Sequence, residues 1–227
     1  PVSDPSAGLR ITEIFYSLQG EANTLGLPTV FIRLTGCPLR CTYCDTTYSF
    51  EGGERQSLDE IIQTTLDFKT PYVCVTGGEP LAQPNALPLM QKLADLGCEV
   101  SLETSGALDV SKVDPRISKV LDLKTPTSGE DKRNLMSNLD HLTQHDQIKF
   151  VICNREDYEW SKLQVAQYKL NEKVSTVWFS PAFAIEKVAV RLPQLARDLA
   201  QWILEDHLPV RFQLQLHKLL WNDETGR

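Results

Sequence analysis

The sequence has no excess of basic residues, since 23 lysines and arginines stand against 30 aspartates and glutamates, for a formal net charge of -7. A protein that binds nucleic acid through its phosphates needs a basic face, so this balance argues against a nucleic-acid partner and favours a small ligand. Long apolar runs are absent as well, because none approaches the roughly 20 residues that span a bilayer. Residues 1–8 also lack the charged and apolar regions of a signal peptide. We therefore expect a cytoplasmic protein with no membrane partner.

The sequence also lacks the cysteine pattern of a disulfide-bonded protein. Three of its six cysteines fall within residues 37–44, whereas Cys74, Cys98 and Cys153 are scattered through apolar segments. We interpret each scattered thiol as a small buried hydrophobe. The clustered three need another explanation.

The length of 227 residues allows one domain with a full core, or at most two small ones. No internal repeat, low-complexity tract or linker interrupts the sequence. We expect a single domain over residues 1–227, with residues 1–8 as a flexible lead.

Short apolar runs rich in β-branched residues recur along the chain, and most neighbouring pairs enclose a segment with helical signals. The predicted strands are 30–34, 72–76, 99–103, 120–123, 148–152, 176–179 and 210–216. The predicted helices are 57–68, which opens with a capping box, a second that ends near residue 96, and 192–204. This alternation predicts an α/β fold with a mostly parallel sheet, doubly wound or curled into a complete or partial barrel. Functional loops are then expected after the strands.

Cys37, Cys41 and Cys44 follow a predicted strand with the spacing C-x3-C-x2-C. One short loop of this kind can wrap an iron–sulfur cubane and present three thiolates to three irons, which leaves the fourth iron open. Structural zinc usually takes two separated ligand pairs, and the pair His141 and His145 lies in a distant polar stretch that we interpret as solvated. A redox dithiol would need no third cysteine. The spacing therefore favours an iron–sulfur cluster.

This loop, with Tyr43 before its last cysteine, and a later Gly-Gly-Glu-Pro sequence at residues 77–80 resemble motifs of the radical S-adenosylmethionine (SAM) superfamily. The resemblance implies a partial (β/α) barrel, a [4Fe-4S] cluster on the three cysteines, and SAM on the open iron. It places Tyr43 near the adenine, and Gly78 and Glu79 at the SAM amino group. An ammonium seeks an acceptor and an adenine seeks a flat neighbour, so these residue types suit the roles. One-electron reduction would then cleave SAM and start a radical reaction.

Further motifs resemble the 7-carboxy-7-deazaguanine synthases, a family within this superfamily. They are EIFYSLQGE at 13–21, FIRLTGC at 31–37, CDT at 44–46, ETSG at 103–106 and QLHK at 215–218. The family converts 6-carboxy-5,6,7,8-tetrahydropterin into 7-carboxy-7-deazaguanine with loss of ammonia, on the route to queuosine, and recycles SAM. The resemblance also implies a magnesium ion, a homodimer and an electron donor such as flavodoxin.

The candidate substrate-binding residues are Leu18, Gln19, Gly20, Glu21, Arg33, Thr76 and His217. Arg33 can clamp a carboxylate, and Gln19 with Glu21 offers an amide and an acceptor to the edge of a pterin. His217, expected at the end of the last strand, can bind the substrate or act as acid or base in the loss of ammonia. An ion pair for Arg33, a plain turn for Gln19 and Glu21, and a structural histidine are the alternatives that the sequence leaves open.

The candidate SAM-binding residues are Tyr43, Gly78, Glu79, Thr104, Ser105, Lys124, Ser180, Pro181, Ala182 and Phe183. Hydroxyls and amides at Thr104 and Ser105 can reach the SAM carboxylate or ribose, and the 180–183 segment occupies the matching place for adenine and ribose. The candidate metal ligands are the three clustered cysteines for iron and the Thr46 hydroxyl for magnesium, which prefers oxygen ligands. Helix capping is the alternative role of Thr46.

Two other functions remain open at this stage. The sequence Asp122-Leu123-Lys124 also resembles an element of glycyl-radical-enzyme activating enzymes, whose substrate is a protein glycine. The polar set Gln19, Arg33 and His217 argues against that function, because an activating enzyme has no need of a pocket for a charged heterocycle. The second alternative is a non-enzymatic iron–sulfur or zinc binding module.

Overall fold

The computed structural model describes residues 8–182, 194–221 and 224–226. Its strands are β1 (Gly8–Leu18), β2 (Pro28–Leu34), β3 (Glu54–Ser57), β4 (Tyr72–Gly77), β5 (Glu99–Thr104), β6 (Ser118–Asp122), β7 (Gln147–Ile152), β8 (Thr176–Pro181) and β9 (Arg211–Phe212). Its α-helices are α1 (Leu58–Asp67), α2 (Ala86–Asp95), α3 (Arg155–Gln167), α4 (Leu170–Lys173), α5 (Gln194–Glu205) and α6 (Leu216–Trp221). In these residues no helix is long and apolar enough to cross a membrane.

The strands form one sheet in the order β3-β1-β2-β4-β5-β6-β7-β8-β9. From β2 to β9 neighbouring strands are parallel, whereas β1 runs antiparallel to both β2 and β3. The order is linear, so the sheet remains open between its two edge strands. The predicted α/β fold with a mostly parallel, partly closed sheet is confirmed.

The alternation of side chains along the parallel strands divides the core from the barrel interior. On β2, Ile32 and Leu34 are fully buried in the apolar core, whereas Arg33 faces the inner cavity. On β7, Ile148 and Phe150 belong to the core, and Lys149 between them lines the cavity. The apolar half of each strand therefore stabilises the fold, and the other half supplies the site.

Local signals set the first two helices. Ser57 caps α1 with its side chain, and the Glu60 carboxylate accepts a hydrogen bond from the Ser57 amide at 2.8 Å, so the predicted capping box is confirmed. Gly97, which follows α2, has φ of 87° and ends the helix as predicted. The predicted helix 192–204 corresponds to α5, although residues 192 and 193 lie outside the described residues.

The predicted strand 210–216 is wrong over most of its length. Only Arg211 and Phe212 pair with β8, and the chain then turns into α6, so His217 lies on a helix and not at the end of a strand. The Leu216 amide donates to the carbonyl of Gly20 at 3.0 Å, outside any ladder. An alternating apolar pattern is typical of a strand, but the polar residues of this segment, Gln213 and Gln215, bond to the turn after β1.

Two smaller expectations also need correction. Gly8, the last residue of the predicted flexible lead, is the first residue of β1 and pairs with Ser57. Residues 1–7 lie outside the described residues. Cys74 is fully buried as expected, but Cys98 and Cys153 are only partly buried.

Candidate active site

One cavity inside the partial barrel collects most of the candidate residues. They are Leu18, Gln19, Glu21, Arg33, Cys37, Cys41, Tyr43, Cys44, Thr46, Thr76, Gly78, Thr104, Ser105, Lys124, Ser180, Pro181, Ala182 and His217. Parallel strands end at one edge of the sheet, so the loops after β2, β4, β5, β6 and β8 meet there. Phe183 lies outside the described residues, so its predicted role stays a prediction.

The cysteine loop is held by its own turns and by the segment after β6. The Thr42 amide and hydroxyl donate to the carbonyls of Ser128 and Thr127, at 3.1 and 2.7 Å. The Arg40 amide donates to a Glu130 carboxylate oxygen at 2.6 Å, and the Arg40 guanidinium reaches the Cys37 carbonyl at 2.7 Å. These contacts fix the loop so that its thiols open onto the cavity.

The three thiols fit an iron–sulfur cluster by their chemistry. All three are free and partly buried. Burial, more than any other cause, raises the pKa of Cys37 and raises that of Cys41 to about 11. Thiols in such surroundings become thiolates when they bind a metal, because the positive charge of the metal replaces the lost solvation. Among the described residues no three His, Cys, Asp or Glu side chains are placed to hold a single metal ion.

The Gly-Gly-Glu-Pro loop separates two roles that the sequence had combined. Gly78 lines the cavity, and a Cβ there would collide with the carbonyl of Gly36. Glu79 is fully buried behind it, and its carboxylate accepts hydrogen bonds from the Thr104 hydroxyl at 2.9 Å and from the Ser105 amide at 2.7 Å. The Glu79 side chain therefore holds the turn after β5, and only the backbone of this loop faces the space for a ligand.

Lys124 and Tyr43 stand together on one wall of the cavity. The Lys124 ammonium bonds to Asp122 at 2.9 Å and lies 5.9 Å from the centre of the Tyr43 ring. Burial is the largest effect and lowers the pKa of Lys124, but Asp122 and Cys41 together outweigh it, so the pKa is raised and the lysine stays charged. Two buried atoms on this wall have no hydrogen-bond partner among the described residues, the Tyr43 hydroxyl and Asp122 Oδ1. A cation, a flat ring and unsatisfied polar atoms suit a zwitterionic nucleoside such as SAM.

Arg33 is both an ion-pair partner and a cavity residue. Its Nε donates to Glu13 at 2.7 Å, and Glu13 also accepts a hydrogen bond from the Tyr48 hydroxyl at 2.8 Å. The guanidinium lies between the rings of Phe15 and Tyr48, 5.8 and 5.9 Å from their centres. The ion pair expected as the alternative role is present, and it orients the rest of the fork toward the cavity.

Thr46 precedes a short 3₁₀ helix, Thr47–Ser49, but its hydroxyl makes no capping hydrogen bond there. Its Oγ1 lies 3.8 Å from Cys44 Sγ and lines the cavity. The capping role considered for this side chain is therefore not the one the described structure shows. A hydroxyl whose contact is with Cys44 Sγ, and which lines the cavity beside the cysteine loop, suits a magnesium ion that takes its other ligands from water and substrate.

Glu21 lies at the centre of a buried network that the sequence did not predict. Because β1 runs antiparallel to β2, the turn after β1 starts at the end of the sheet opposite to the loops that follow the parallel strands, and from there Glu21 reaches the cavity. The Glu21 carboxylate accepts hydrogen bonds from Lys149 at 2.7 Å, from Gln215 at 2.7 Å and from Gln213 at 3.2 Å. Burial raises the pKa of Glu21, but Lys149 and His217 outweigh it and lower the value to about 2. Glu21 stays ionised, and its carboxylate oxygens are bonded mainly to side chains of the protein, which leaves little of it for a ligand.

His217 is set against the turn after β1. Gly20 lies so close that a Cβ there would collide with the His217 ring, which explains why Gly20 does not itself line the cavity. Burial lowers the pKa of His217 below 6.5 and exceeds the opposing effect of Glu21, so the ring is neutral at pH 7. The next residue, Lys218, forms an ion pair of 2.7 Å with Asp45.

Several cavity residues were missed as site residues. They are Asp45, Glu103, Asp122, Lys149, Gln215 and Lys218. Most stand inside or beside the recognised motifs, and period-2 alternation on β5, β6 and β7 would have found Glu103, Asp122 and Lys149 as inward charges. Thr76, which was predicted, bonds to Glu103 at 2.9 Å.

Comparisons with known proteins agree with this site. A family model described as the Radical SAM superfamily matches residues 31–128. The 7-carboxy-7-deazaguanine synthase of Koribacter versatilis is 45% identical over 96% of this chain and 99% of that protein. That of Chlorobaculum tepidum is 42% identical over 96% and 97%. The crystal structure of QueE from Escherichia coli, 23% identical, matches 92% of this chain and 95% of that one with a TM-score of 0.74, which supports the fold.

An open, mostly parallel barrel with three free thiols at its mouth and the match over residues 31–128 define a radical SAM enzyme. Its cofactors are a [4Fe-4S] cluster and SAM. The chain belongs to the 7-carboxy-7-deazaguanine synthase family, as its identity to the two full-length relatives shows.

Proposed function

We propose that this chain converts 6-carboxy-5,6,7,8-tetrahydropterin into 7-carboxy-7-deazaguanine and ammonia, a lyase step of queuosine biosynthesis. One observation carries the proposal: the cavity that holds the cysteine loop also holds Arg33, the turn after β1, and His217. The first half suits SAM chemistry, and the second suits a charged heterocycle. The conversion is redox-neutral, because removing ammonia from the substrate leaves the composition of the product.

The substrate half offers groups that match the pterin. Arg33 supplies a fixed cation for the substrate carboxylate, since its Nε is engaged by Glu13 and its position is set by two aromatic rings. The backbone of Gln19 bonds to Leu27 and Gly26, and its side-chain oxygen accepts from the Glu21 amide at 3.2 Å. Of these groups, the Gln19 side-chain NH2 is left to meet an acceptor on the pterin ring.

The cofactor half would hold the cluster on Cys37, Cys41 and Cys44, and SAM against Gly78 and the Lys124 wall. When bound, these groups supply the one-electron chemistry that removes a hydrogen atom from the substrate. The protein's part is to bind SAM and substrate in one cavity and to orient them. The cluster chemistry itself needs an external electron donor, for which we propose a flavodoxin-like protein.

Loss of ammonia requires that a proton reach the leaving nitrogen. His217 lines the substrate half and is neutral at pH 7, so its ring can take a proton from one position and return it at another. Glu21 and Lys149 hold fixed charges beside it, since the Glu21 pKa is about 2 and that of Lys149 is raised mainly by Glu21 against the effect of burial. We assign proton transfer to His217 and orientation to the ion pair.

Magnesium would be held by the Thr46 hydroxyl, with the substrate and water completing its shell. The ion would stabilise negative charge on the substrate during rearrangement. A homodimer and a cytoplasmic location, both expected from the sequence, stay predictions.

The function is tested by anaerobic incubation of the reconstituted protein with SAM, dithionite, magnesium and carboxytetrahydropterin, followed by mass spectrometry. We expect 7-carboxy-7-deazaguanine in amounts well above the SAM supplied, together with ammonia. Release of 5'-deoxyadenosine without that product would move the chain to another substrate, such as the protein glycine of an activating enzyme. The absence of any SAM cleavage would indicate a binding module.

A further inference from the structure

The segment 213–218 is tied to two separate parts of the active site. At its start, the Gln213 side-chain oxygen accepts a hydrogen bond from the Ala22 amide at 2.6 Å, and the Gln215 side-chain NH2 donates one to the Glu21 carboxylate at 2.7 Å. These bonds fasten the segment to the turn after β1, on the substrate half of the cavity. At its end, the segment reaches the cysteine loop.

The attachment to the cysteine loop is an ion pair between Lys218 Nζ and Asp45 Oδ2 at 2.7 Å. The Lys218 side chain is 6% exposed, so its stem is packed and its charge is directed to one partner. Asp45 stands between the iron ligand Cys44 and Thr46. His217, the residue next to Lys218, therefore lies between two attachments of the segment, one to the turn after β1 and one to the cysteine loop.

We infer that Lys218 is a positioning residue, whose ion pair with Asp45 holds the His217 ring in fixed relation to the cysteine loop. This inference rests on the proposed function for the role of His217. The Lys218 side chain needs no contact with the substrate. Lys218 and His217 are neighbours in α6, a helix of 6 residues, so an ion pair that fixes Lys218 also fixes the position of His217. Without the pair, the segment keeps its attachment to the turn after β1 but loses the one to the loop.

The physical basis is the difference in exposure between the two partners. The Lys218 side chain is 6% exposed and depends on this carboxylate, whereas the Asp45 side chain is 43% exposed and also meets water. Lys218→Met keeps the packed stem but removes the charge, and Asp45 is then left to water or to other cations. The end of the segment should open more often, and His217 should leave its place above the substrate half. The cluster ligands are untouched, so iron content and SAM binding should remain those of the wild type.

The test compares Lys218→Met, Lys218→Arg, Asp45→Asn and the double variant Lys218→Met/Asp45→Asn. Lys162→Met serves as a matched control, because Lys162 on α3 forms an ion pair of 2.7 Å with Asp206, the residue that follows α5, and neither residue lines the cavity. Hydrogen exchange of residues 213–221, iron content, SAM affinity, and kcat and KM for carboxytetrahydropterin are measured on the full chain.

We expect Lys218→Met to lower kcat/KM for the pterin by about 10- to 100-fold, the usual effect of losing a group that orients a functional one. Hydrogen exchange of residues 213–221 should be faster in this variant. Lys218→Arg, which keeps the charge, should restore most of the kcat/KM and most of the protection from exchange. The double variant should be no worse than Asp45→Asn, since both changes break one contact. Lys162→Met should match the wild type in all four measurements.

Unchanged exchange and unchanged kcat/KM in Lys218→Met would overturn the inference, as would additive effects in the double variant. Loss of iron from Lys218→Met would assign the residue to the cluster and also overturn it. If the wild type forms no product, the proposed function fails on its own account. In that case hydrogen exchange still tests the ion pair. Faster exchange of residues 213–221 in Lys218→Met than in the wild type would support it as the attachment, and unchanged exchange would reject it.

Discussion

The amide of Glu79 donates a hydrogen bond to the carbonyl of Gly36 at 2.8 Å, and this bond joins the Gly-Gly-Glu-Pro loop to the start of the cysteine loop. The two motifs lie about 40 residues apart in the sequence, on neighbouring parallel strands. This contact ties the backbone expected at the SAM amino group to the loop that carries the thiols expected on the cluster. The same Glu79 side chain also anchors the turn that carries Thr104 and Ser105.

Gly78→Ala should disturb this contact, because the new Cβ would collide with the carbonyl of Gly36, which is backbone and cannot swing away. We expect SAM binding to weaken by about 5- to 150-fold, which corresponds to a displacement that costs ~1–3 kcal/mol. Gly97→Ala is the control, since Gly97 has φ of 87° but open space around it. That change should lower the melting temperature without altering SAM affinity measured by titration of the reconstituted protein. Equal SAM affinity in both variants would contradict the close approach.

Arg33→Ala should raise the dissociation constant for carboxytetrahydropterin while leaving iron content and SAM affinity intact. A desolvated charged contact of this kind is worth roughly 2–5 kcal/mol. Arg33→Lys should recover only part of the affinity, because a lysine keeps the charge but lacks the planar fork. Isothermal titration under anaerobic conditions gives the values, and a variant that binds the pterin normally but loses SAM would place Arg33 in the cofactor half.

Glu21→Gln should destabilise the fold at neutral pH by up to about 3–5 kcal/mol, because buried Lys149 loses its 2.7 Å carboxylate partner and keeps only Asp122, at 3.9 Å. The Glu21 pKa falls from 4.5 to about 2 on folding, against the effect of burial. A depressed carboxylate pKa stabilises the folded state above the unfolded value, and that stabilisation is lost as the pH falls from about 4.5 toward 2. The gap in free energy of unfolding between wild type and variant should therefore narrow over this range, as measured by urea titration at several pH values. A gap independent of pH would show that the pair contributes no charge-dependent stability.

Thr46→Ala should lower product formation strongly and flatten its dependence on magnesium, because the hydroxyl is the expected protein ligand. Thr46→Ser keeps the oxygen and should retain much of both. Iron content should be normal in each protein. Product formation measured against magnesium concentration decides the point, and a Thr46→Ala curve that follows the wild type would place the metal elsewhere.

What the sequence allowed us to predict follows from the range of the interactions involved. The cysteine spacing and the α1 capping box are local, so they could be recognised before the structure, and the loops after β2 and β4 fall where the strand pattern put them. The pair Glu21 and Lys149 spans 128 residues and depends on β1 running antiparallel, which no local pattern records.

His217 and Glu79 illustrate the same limit of local patterns. His217 was expected at the end of a strand because the preceding residues alternate in polarity, but the segment bonds to the turn after β1, and His217 lies on a helix. Glu79 was expected at the SAM amino group, and that contact stays a prediction; its carboxylate bonds to Thr104 and Ser105, so the backbone of its loop is the part that faces the cavity. A motif indicates that a residue matters, and only the three-dimensional contacts show which of its atoms are free to bind a ligand.

The central claim is that SAM and a carboxypterin react with each other in this cavity. The most direct test uses carboxytetrahydropterin deuterated at the carbon that bears the carboxylate, with unlabelled SAM in limiting amount and mass spectrometry of both SAM and product. The account predicts deuterium in the recovered SAM, together with 7-carboxy-7-deazaguanine in excess of the SAM supplied. SAM that stays unlabelled while the labelled pterin is consumed, or a pterin that is not consumed at all, would contradict it.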